Sequence, residues 1–205
     1  MTVRRRGTLF VVSAPSGAGK TTLCRELRLR VPGLAYSVSV TTRAPRAGEL
    51  DGIDFEFVDE SRFRAMVAAG EFAEHAIVHG HLYGTRADAI ETALAAGIDL
   101  LLDIDTQGAA QLRAHTPEAV LVFLVAPSMK ELEQRLRERR SDNEPEIARR
   151  LARAKSEIAL WPTYDYLIVN RDVKEALEQL EAIVIAERVR TRRLTLTIPD
   201  LEVNS

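Results

Sequence analysis

Residues 9–22 read Leu9-Phe10-Val11-Val12-Ser13-Ala14-Pro15-Ser16-Gly17-Ala18-Gly19-Lys20-Thr21-Thr22. The apolar run Leu9 to Val12 predicts a buried strand, and Leu23-Cys24-Arg25-Glu26-Leu27 predicts the start of a helix. Between them lies a glycine-bearing turn ending in Lys-Thr, the layout of a phosphate-binding loop. Gly17 and Gly19 let the backbone come close to an anion. Loop amides and the helix N-terminus then face negative oxygens. Lys20 is placed to reach the β- and γ-phosphates of a nucleotide, and the Thr21 hydroxyl to ligate Mg2+. The general pattern opens with Gly, where this chain has Ala14. Such a loop implies a nucleoside triphosphate without saying which reaction consumes it, since kinases, GTPases and motor ATPases share it.

Outward from the loop, strand-like and helix-like runs alternate. Candidate strands are 8–13, 35–41, 99–104, 119–125 and 166–170. Helical patterns fall near 21–30, 60–69, 86–96, 106–114, 128–140, 144–160 and 172–190. Leu100-Leu101-Leu102 and Val120-Leu121-Val122-Phe123-Leu124-Val125 are continuous rather than alternating, the signature of strands buried on both faces of a parallel sheet. The expected fold is therefore α/β, a three-layer arrangement with a mostly parallel core sheet and helices on both sides. Two stretches break the alternation. Residues 37–58 alternate as Ser37-Val38-Ser39-Val40-Thr41, turn through Pro45 to Gly52, and resume as Asp54-Phe55-Glu56-Phe57-Val58, predicting half-exposed antiparallel strands. Residues 128–161 predict two Arg-rich helices joined by Ser141-Asp142-Asn143-Glu144-Pro145. Insertions beside a phosphate loop are where a second substrate and a lid would sit.

Composition narrows the classes. The chain has 205 residues, 46% of them hydrophobic, enough for one domain with insertions. No apolar run approaches the ~20 residues that span a bilayer. The N-terminus Met1-Thr2-Val3-Arg4-Arg5-Arg6-Gly7 has charge but no separate apolar segment, so no signal peptide is expected. The single cysteine, Cys24, fits a reducing cytoplasm and lies on the apolar stripe of the first helix, where packing is its expected role. A net charge of −2 indicates no general nucleic-acid grip, and no protein partner is indicated. Between 135 and 153 lie Arg135, Arg137, Arg139, Arg140, Arg149, Arg150 and Arg153. They form either a solvated helix face or, if they face bound phosphates, a cationic clasp.

Several constellations carry chemistry. Asp103-Ile104-Asp105 ends a core strand, where carboxylates face the ligand crevice of an open sheet. Asp103 suits Mg2+, and Asp105 suits either the site or the cap of the helix beginning near Thr106. Thr42-Arg43-Ala44-Pro45-Arg46 places two guanidiniums at a strand end, suited to bidentate phosphate recognition or to a solvated loop. Tyr83-Gly84-Thr85 precedes a helix, and Thr85 with Asp88 makes a capping-box pattern. His75, His79 and His81 lack regular ligand spacing, so no zinc site is expected.

Taken together, these pieces resemble the bacterial-type guanylate kinase family over roughly residues 7–190. The matching motifs are Ser13-Ala-Pro-Ser-Gly-Ala-Gly-Lys20, Ser37-Val-Ser-Val-Thr-Thr-Arg-Ala-Pro-Arg-Ala-Gly-Glu49, Gly70-Glu-Phe-Ala-Glu74, Tyr83-Gly-Thr85, Leu102-Asp-Ile-Asp-Thr-Gln-Gly108 and Ile168-Val-Asn170. Ala is common at position 14 in this family. The resemblance implies Mg2+-dependent phosphoryl transfer from ATP to GMP or dGMP. It implies a core of residues 1–36, 89–127 and 162–205, a small mixed α/β GMP-binding subdomain at 37–88, and a helical lid at 128–161. ATP would meet Ser13 to Thr22, with Asn170 near adenine. Ser39 and Glu74 would bind the guanine edge, supported by Asp105 and Thr85. Arg43, Arg46 and Tyr83 would hold the GMP phosphate. Arg135, Arg139 and Arg150 would close over the transferring group with Lys20, and Thr21 and Asp103 would hold the metal.

One position departs from the family. Where it usually carries Tyr, this chain has Phe55, which has no hydroxyl to offer the GMP phosphate. Two rivals remain open at this level: a non-catalytic relative that binds proteins, and a kinase for another small phosphate acceptor. The tail from Thr191, with Leu194, Leu196, Ile198 and Leu201, has no assigned role.

Overall fold

The computed structural model describes residues 2–78, 80–138 and 143–198. In chain order the elements are β1 (Thr2–Arg5), β2 (Leu9–Ser13), α1 (Lys20–Arg30), β3 (Leu34–Tyr36), β4 (Ser39–Thr41), β5 (Phe55–Phe57), α2 (Glu60–Ala68), β6 (Phe72–Val78), β7 (His81–Arg86) and α3 (Ala87–Ala95). They continue with β8 (Asp99–Asp103), α4 (Thr106–His115), β9 (Val120–Val125), α5 (Met129–Glu138), α6 (Glu144–Ile158), β10 (Tyr166–Val169), α7 (Val173–Arg188) and β11 (Leu194–Thr197).

Five strands in the order β10-β9-β2-β8-β3 form a wholly parallel sheet. Successive side chains point to opposite faces, and both faces are covered. Phe10, Val12, Leu101, Val122 and Leu124 pack with Leu23 and Leu27 of α1 and Leu177, Leu180 and Val184 of α7. Leu9, Val11, Leu100, Leu102 and Leu121 pack with Ile90 and Leu94 of α3 and Leu112 of α4. This double burial explains why the core strands read as unbroken apolar runs. Cys24 is fully buried among the first set, and burial pushes its thiol far above the ordinary range.

The expected strand at 35–41 is two strands. β3 joins the core sheet beside β8, and β4 opens a second sheet of order β5-β4-β7-β6. The expectation that 37–58 is antiparallel is also corrected. β4 pairs with β5 in parallel, Ser39 opposite Phe55 and Thr41 opposite Phe57, while β4–β7 and β6–β7 are antiparallel. Alternation reports a half-buried face and says nothing of direction. The connection through residues 42–54 is long enough to return the chain to the same end of the sheet. Val40 packs there with Phe63 and Met66 of α2.

The tail pairs with the N-terminus. β1 and β11 form an antiparallel ribbon, Val3 opposite Leu196. Asp59, Asp105, Asn143 and Asp172 cap α2, α4, α6 and α7 with side-chain oxygens. The capping box expected from Thr85 and Asp88 does not form. Arg86 occupies the cap position without a side-chain bond, and Asp88 accepts from the Arg86 guanidinium instead.

Candidate active site

The loop between β2 and α1 is shaped by two glycines at positive φ, Gly17 at 94° and Gly19 at 97°. A Cβ on Gly19 would lie 2.5 Å from Asn170 Nδ2. That amide donates to the Ala18 carbonyl at 2.8 Å, so Asn170, fully buried, buttresses the loop. Gly17 sits on Leu132 and Leu136 of α5, which ties the first of the Arg-rich helices to the loop. Ser13 donates to the Asp105 carbonyl at 3.4 Å, and Lys20 Nζ donates to the Ile104 carbonyl at 3.0 Å. Lys20 therefore lies across the C-terminal end of β8.

Two cavities meet there. One, of about 250 Å³, is lined by the loop from Ala14 to Thr22 together with Asp105, Arg150 and Arg153. The other, of about 320 Å³, is lined by Ser39, Phe55, Glu74, Tyr83 and Asp103. Lys20, Thr21 and Asp105 border both.

In the second cavity Glu74 is 4% exposed, and the Thr85 hydroxyl donates to it at 2.5 Å. Burial raises the Glu74 carboxyl to a pKa of about 7. The Asp105 charge adds to the rise, while the Thr85 bond and Lys20 oppose it. Arg43 donates Nη2 to Glu49 at 2.9 Å and Nε to the Tyr83 hydroxyl at 3.2 Å. Its guanidinium lies 5.2 Å from the Phe55 ring centre and 5.8 Å from that of Phe57. Arg46 is exposed, and its backbone N–H donates to Glu49 at 2.8 Å.

Of the cations expected over the phosphates, Arg150 donates to Ser16 Oγ at 3.3 Å and pairs with Glu146. Arg135 faces elsewhere: it donates to the Asn170 carbonyl at 3.0 Å and pairs with Glu131. Arg139 lies outside the described residues, as does His79. Arg137 pairs with Glu133 and Glu144, and Arg149 with Glu146, which makes that part of the cluster a solvated face.

A family model for guanylate kinase matches residues 6–187. The chain belongs to the guanylate kinase family. Guanylate kinase of Syntrophotalea carbinolica is 50% identical over 192 residues, 94% of this chain and 91% of that one. Guanylate kinase of Koribacter versatilis is 53% identical over 187 residues, 90% of this chain and 80% of that one. The crystal structure of guanylate kinase from Anaplasma phagocytophilum superposes with a TM-score of 0.77 at 34% identity, covering 94% of this chain and 92% of that one. The guanylate kinase activity is phosphoryl transfer from ATP to GMP, and the chain is an enzyme of that class.

Guanylate kinase chemistry implies Mg2+, and the oxygen donors here suit a small hard cation. Thr21 and Asp103 share the second cavity with Lys20. No group of three His, Cys, Asp or Glu side chains able to hold a metal ion occurs among the described residues. Mg2+ characteristically takes one or two protein oxygens plus water and substrate phosphates rather than such a cage.

Four residues have contacts that the sequence reading did not assign. Arg153 of α6 reaches Asp105 at 3.3 Å and Glu157 at 2.7 Å, linking α6 to the junction of the cavities. Glu49 orients Arg43. Gly108 lets α4 approach Glu74, since a Cβ there would meet Glu74 Oε2 at 2.5 Å. Gln111, one turn further, bonds the backbone of β6. Glu49 and Gly108 were visible as motif residues without a role and Arg153 as one of the Arg cluster; Gln111 alone was unmarked, because spacing does not reveal its partner.

Proposed function

We propose that the loop cavity takes the triphosphate end of ATP, that the second cavity takes GMP or dGMP, and that Thr21 and Asp103 would hold Mg2+. The observation that carries this reading is the position of Lys20 on the border of both cavities. A phosphoryl group passing between two nucleotides crosses that border, and a cation fixed there by the Ile104 carbonyl stabilises it throughout.

In this reading residues 37–88 bind the acceptor, residues 128–161 form the lid and the remainder is the core, acting in the cytoplasm in purine nucleotide metabolism. Glu74 accepts from the guanine N1–H and amino group, with Ser39 beside it and Thr85 fixing its rotamer. Adenine presents no such donors and leaves the carboxylate unpaired. Arg43 and Tyr83, joined by their own hydrogen bond, hold the GMP phosphate with Arg46. A phosphate oxygen of GMP attacks the γ-phosphorus in line as the bond to the bridging oxygen breaks and that oxygen leaves with ADP. No protein nucleophile takes part, so positioning and charge neutralisation supply the rate. Mg2+ supplies further neutralisation of the phosphate oxygens. Arg150, held against Ser16 of the loop, brings a lid cation to the transferring group, and lid closure would carry Arg135 away from Glu131 and the Asn170 carbonyl to join it with Arg139. Lid closure excludes water, which would otherwise compete as acceptor.

The test is a side-by-side assay of GMP, dGMP, AMP and UMP with ATP and Mg2+, reading ADP release. Turnover with GMP and dGMP and little with AMP or UMP is expected. Equal rates with AMP would refute Glu74 as base reader, and absence of nucleotide-dependent turnover would leave a binding module.

A further inference from the structure

β6 carries Glu74 and is held by its own sheet along one edge alone. It is the edge strand in the order β5-β4-β7-β6, so one row of its backbone groups faces away from β7. Its register with β7 is interrupted between Phe72 and Glu74, beside the residue that reads the base. At His75, the next position, the outward N–H and C=O are both taken by one side chain. The His75 N–H donates to Gln111 Oε1 at 3.1 Å, and Gln111 Nε2 donates to the His75 carbonyl at 2.9 Å. Gln111 thus does for β6 what a neighbouring strand would do.

α4 is built for this contact. Asp105, Gly108 and Gln111 recur every three residues and share a face. Asp105 caps the helix through the Gln107 and Gly108 amides. Gly108 admits Glu74 Oε2, and Gln111 grips the residue after it.

We propose that Gln111 is a specificity-determining positioning residue, pinning the bulged edge strand so that Glu74 is held in the register that reads guanine. The inference rests on Glu74 being the base reader. It predicts that Gln111 governs acceptor choice without touching the acceptor and without affecting the ATP side, where it has no contact.

The experiment uses the full chain carrying Gln111→Met or Gln111→Glu, with wild type as reference and thermal melts to confirm folding. For Gln111→Met, KM for GMP is expected to rise ~10-fold for the loss of two hydrogen bonds. KM for ATP should stay within about twofold, and the GMP-over-AMP ratio of kcat/KM should fall. Gln111→Glu supplies a readout that a merely structural role would not move. A protonated Glu donates and accepts like the amide, whereas the carboxylate can only accept and faces the His75 carbonyl. The ratio of variant to wild-type KM for GMP should therefore shrink as pH is lowered from about 8 toward about 5. Taking this ratio cancels the titrations shared with wild type. Those are Glu74 with Asp105 and Lys20 facing it, the His75 ring, and the His115 ring, which bonds the Gln111 carbonyl. A folded Gln111→Met with unchanged KM for GMP, an equal rise in KM for ATP, or a flat ratio for Gln111→Glu would each overturn the proposal while leaving GMP as substrate. Wild-type indifference between GMP and AMP would instead overturn the reading of Glu74 on which it rests.

Discussion

In the proposed reading, a single side chain, Glu74, sets both recognition and its pH range. Its carboxyl is held near pKa 7, chiefly by burial. A group whose folded pKa is raised contributes stability that is present below its ordinary pKa of 4.5 and lost as pH rises through about 7. The ionised form that the proposed guanine contact requires is therefore the form the fold least favours, and a bound base would offset that cost with two donors. KM for GMP should rise as pH falls below about 7, with kcat at saturating GMP changing less. The GMP phosphate titrates near pH ~6 as well, so Glu74→Gln is the control and should flatten the component near 7. A wild-type KM constant across that range would count against Glu74 as the ionised reader. Phe55 makes a second argument at this scale. It lines the second cavity under the Arg43 guanidinium and edge-on to Tyr83, with ring centres 6.1 Å apart. The ring orients Arg43 but donates nothing to a phosphate. A hydrogen bond to a charged group contributes ~1.5–3 kcal/mol, so Phe55→Tyr should lower KM for GMP by at least about tenfold. An unchanged or higher KM would show that Arg43 and Tyr83 already satisfy the phosphate. The identity of both residues was readable in the chain; the burial that shifts Glu74 was not, because it depends on α4 arriving from far along the sequence.

At the scale of elements, what was legible was local. The phosphate loop announced itself because strand, glycine turn, lysine and helix are consecutive, and the structure keeps them so. β2, β8 and β9 read as buried strands because covering both faces demands unbroken apolar residues. Residues 37–58 show where such reading stops. Alternation at 37–58 gave two half-buried strands but not their parallel pairing, which depends on the path of residues 42–54. Thr85 and Asp88 satisfied the local pattern of a cap, yet Thr85 turns back to Glu74, because a buried carboxyl gains more from a donor than an exposed helix start does. The Arg-rich stretch divided by partner rather than by spacing. Arg135 and Arg150 share a composition, but one serves the Asn170 carbonyl and the other the loop serine. Helical periodicity can place charges on a face; it cannot say what stands opposite.

The whole molecule is tied together at the end of the sheet opposite the site. Asp99 opens β8 and Asp103 closes it, some ~13 Å apart along the strand. Asp99 is fully buried and accepts from Arg5 through both carboxylate oxygens, from Arg188 Nε at 2.7 Å and from the Thr8 amide at 2.8 Å. One carboxylate thus joins the terminal ribbon, the core sheet and α7. β1 had no apolar run of its own, and the apolar residues of the tail had no assigned role, so this closure stayed unread. An isolated two-stranded ribbon is marginal in water, and the ion cluster supplies what it lacks. Breaking a buried pair by removing one partner costs about 3–5 kcal/mol. Arg5 and Arg188 keep 26% and 21% side-chain exposure, which favours the low end of that range. For a chain of this length ~1 kcal/mol moves Tm by ~2–4 °C. Asp99→Asn should then lower Tm by about 6–12 °C, while KM for ATP and GMP measured well below the transition stays unchanged. The neighbouring Arg6–Glu91 pair lies on the surface, with side chains 49% and 63% exposed. Such pairs contribute little, so Arg6→Ala should scarcely move Tm. Equal shifts from the two substitutions would show that the ribbon is held by strand pairing rather than by Asp99. A change in KM from Asp99→Asn would mean that the two ends of β8 are coupled.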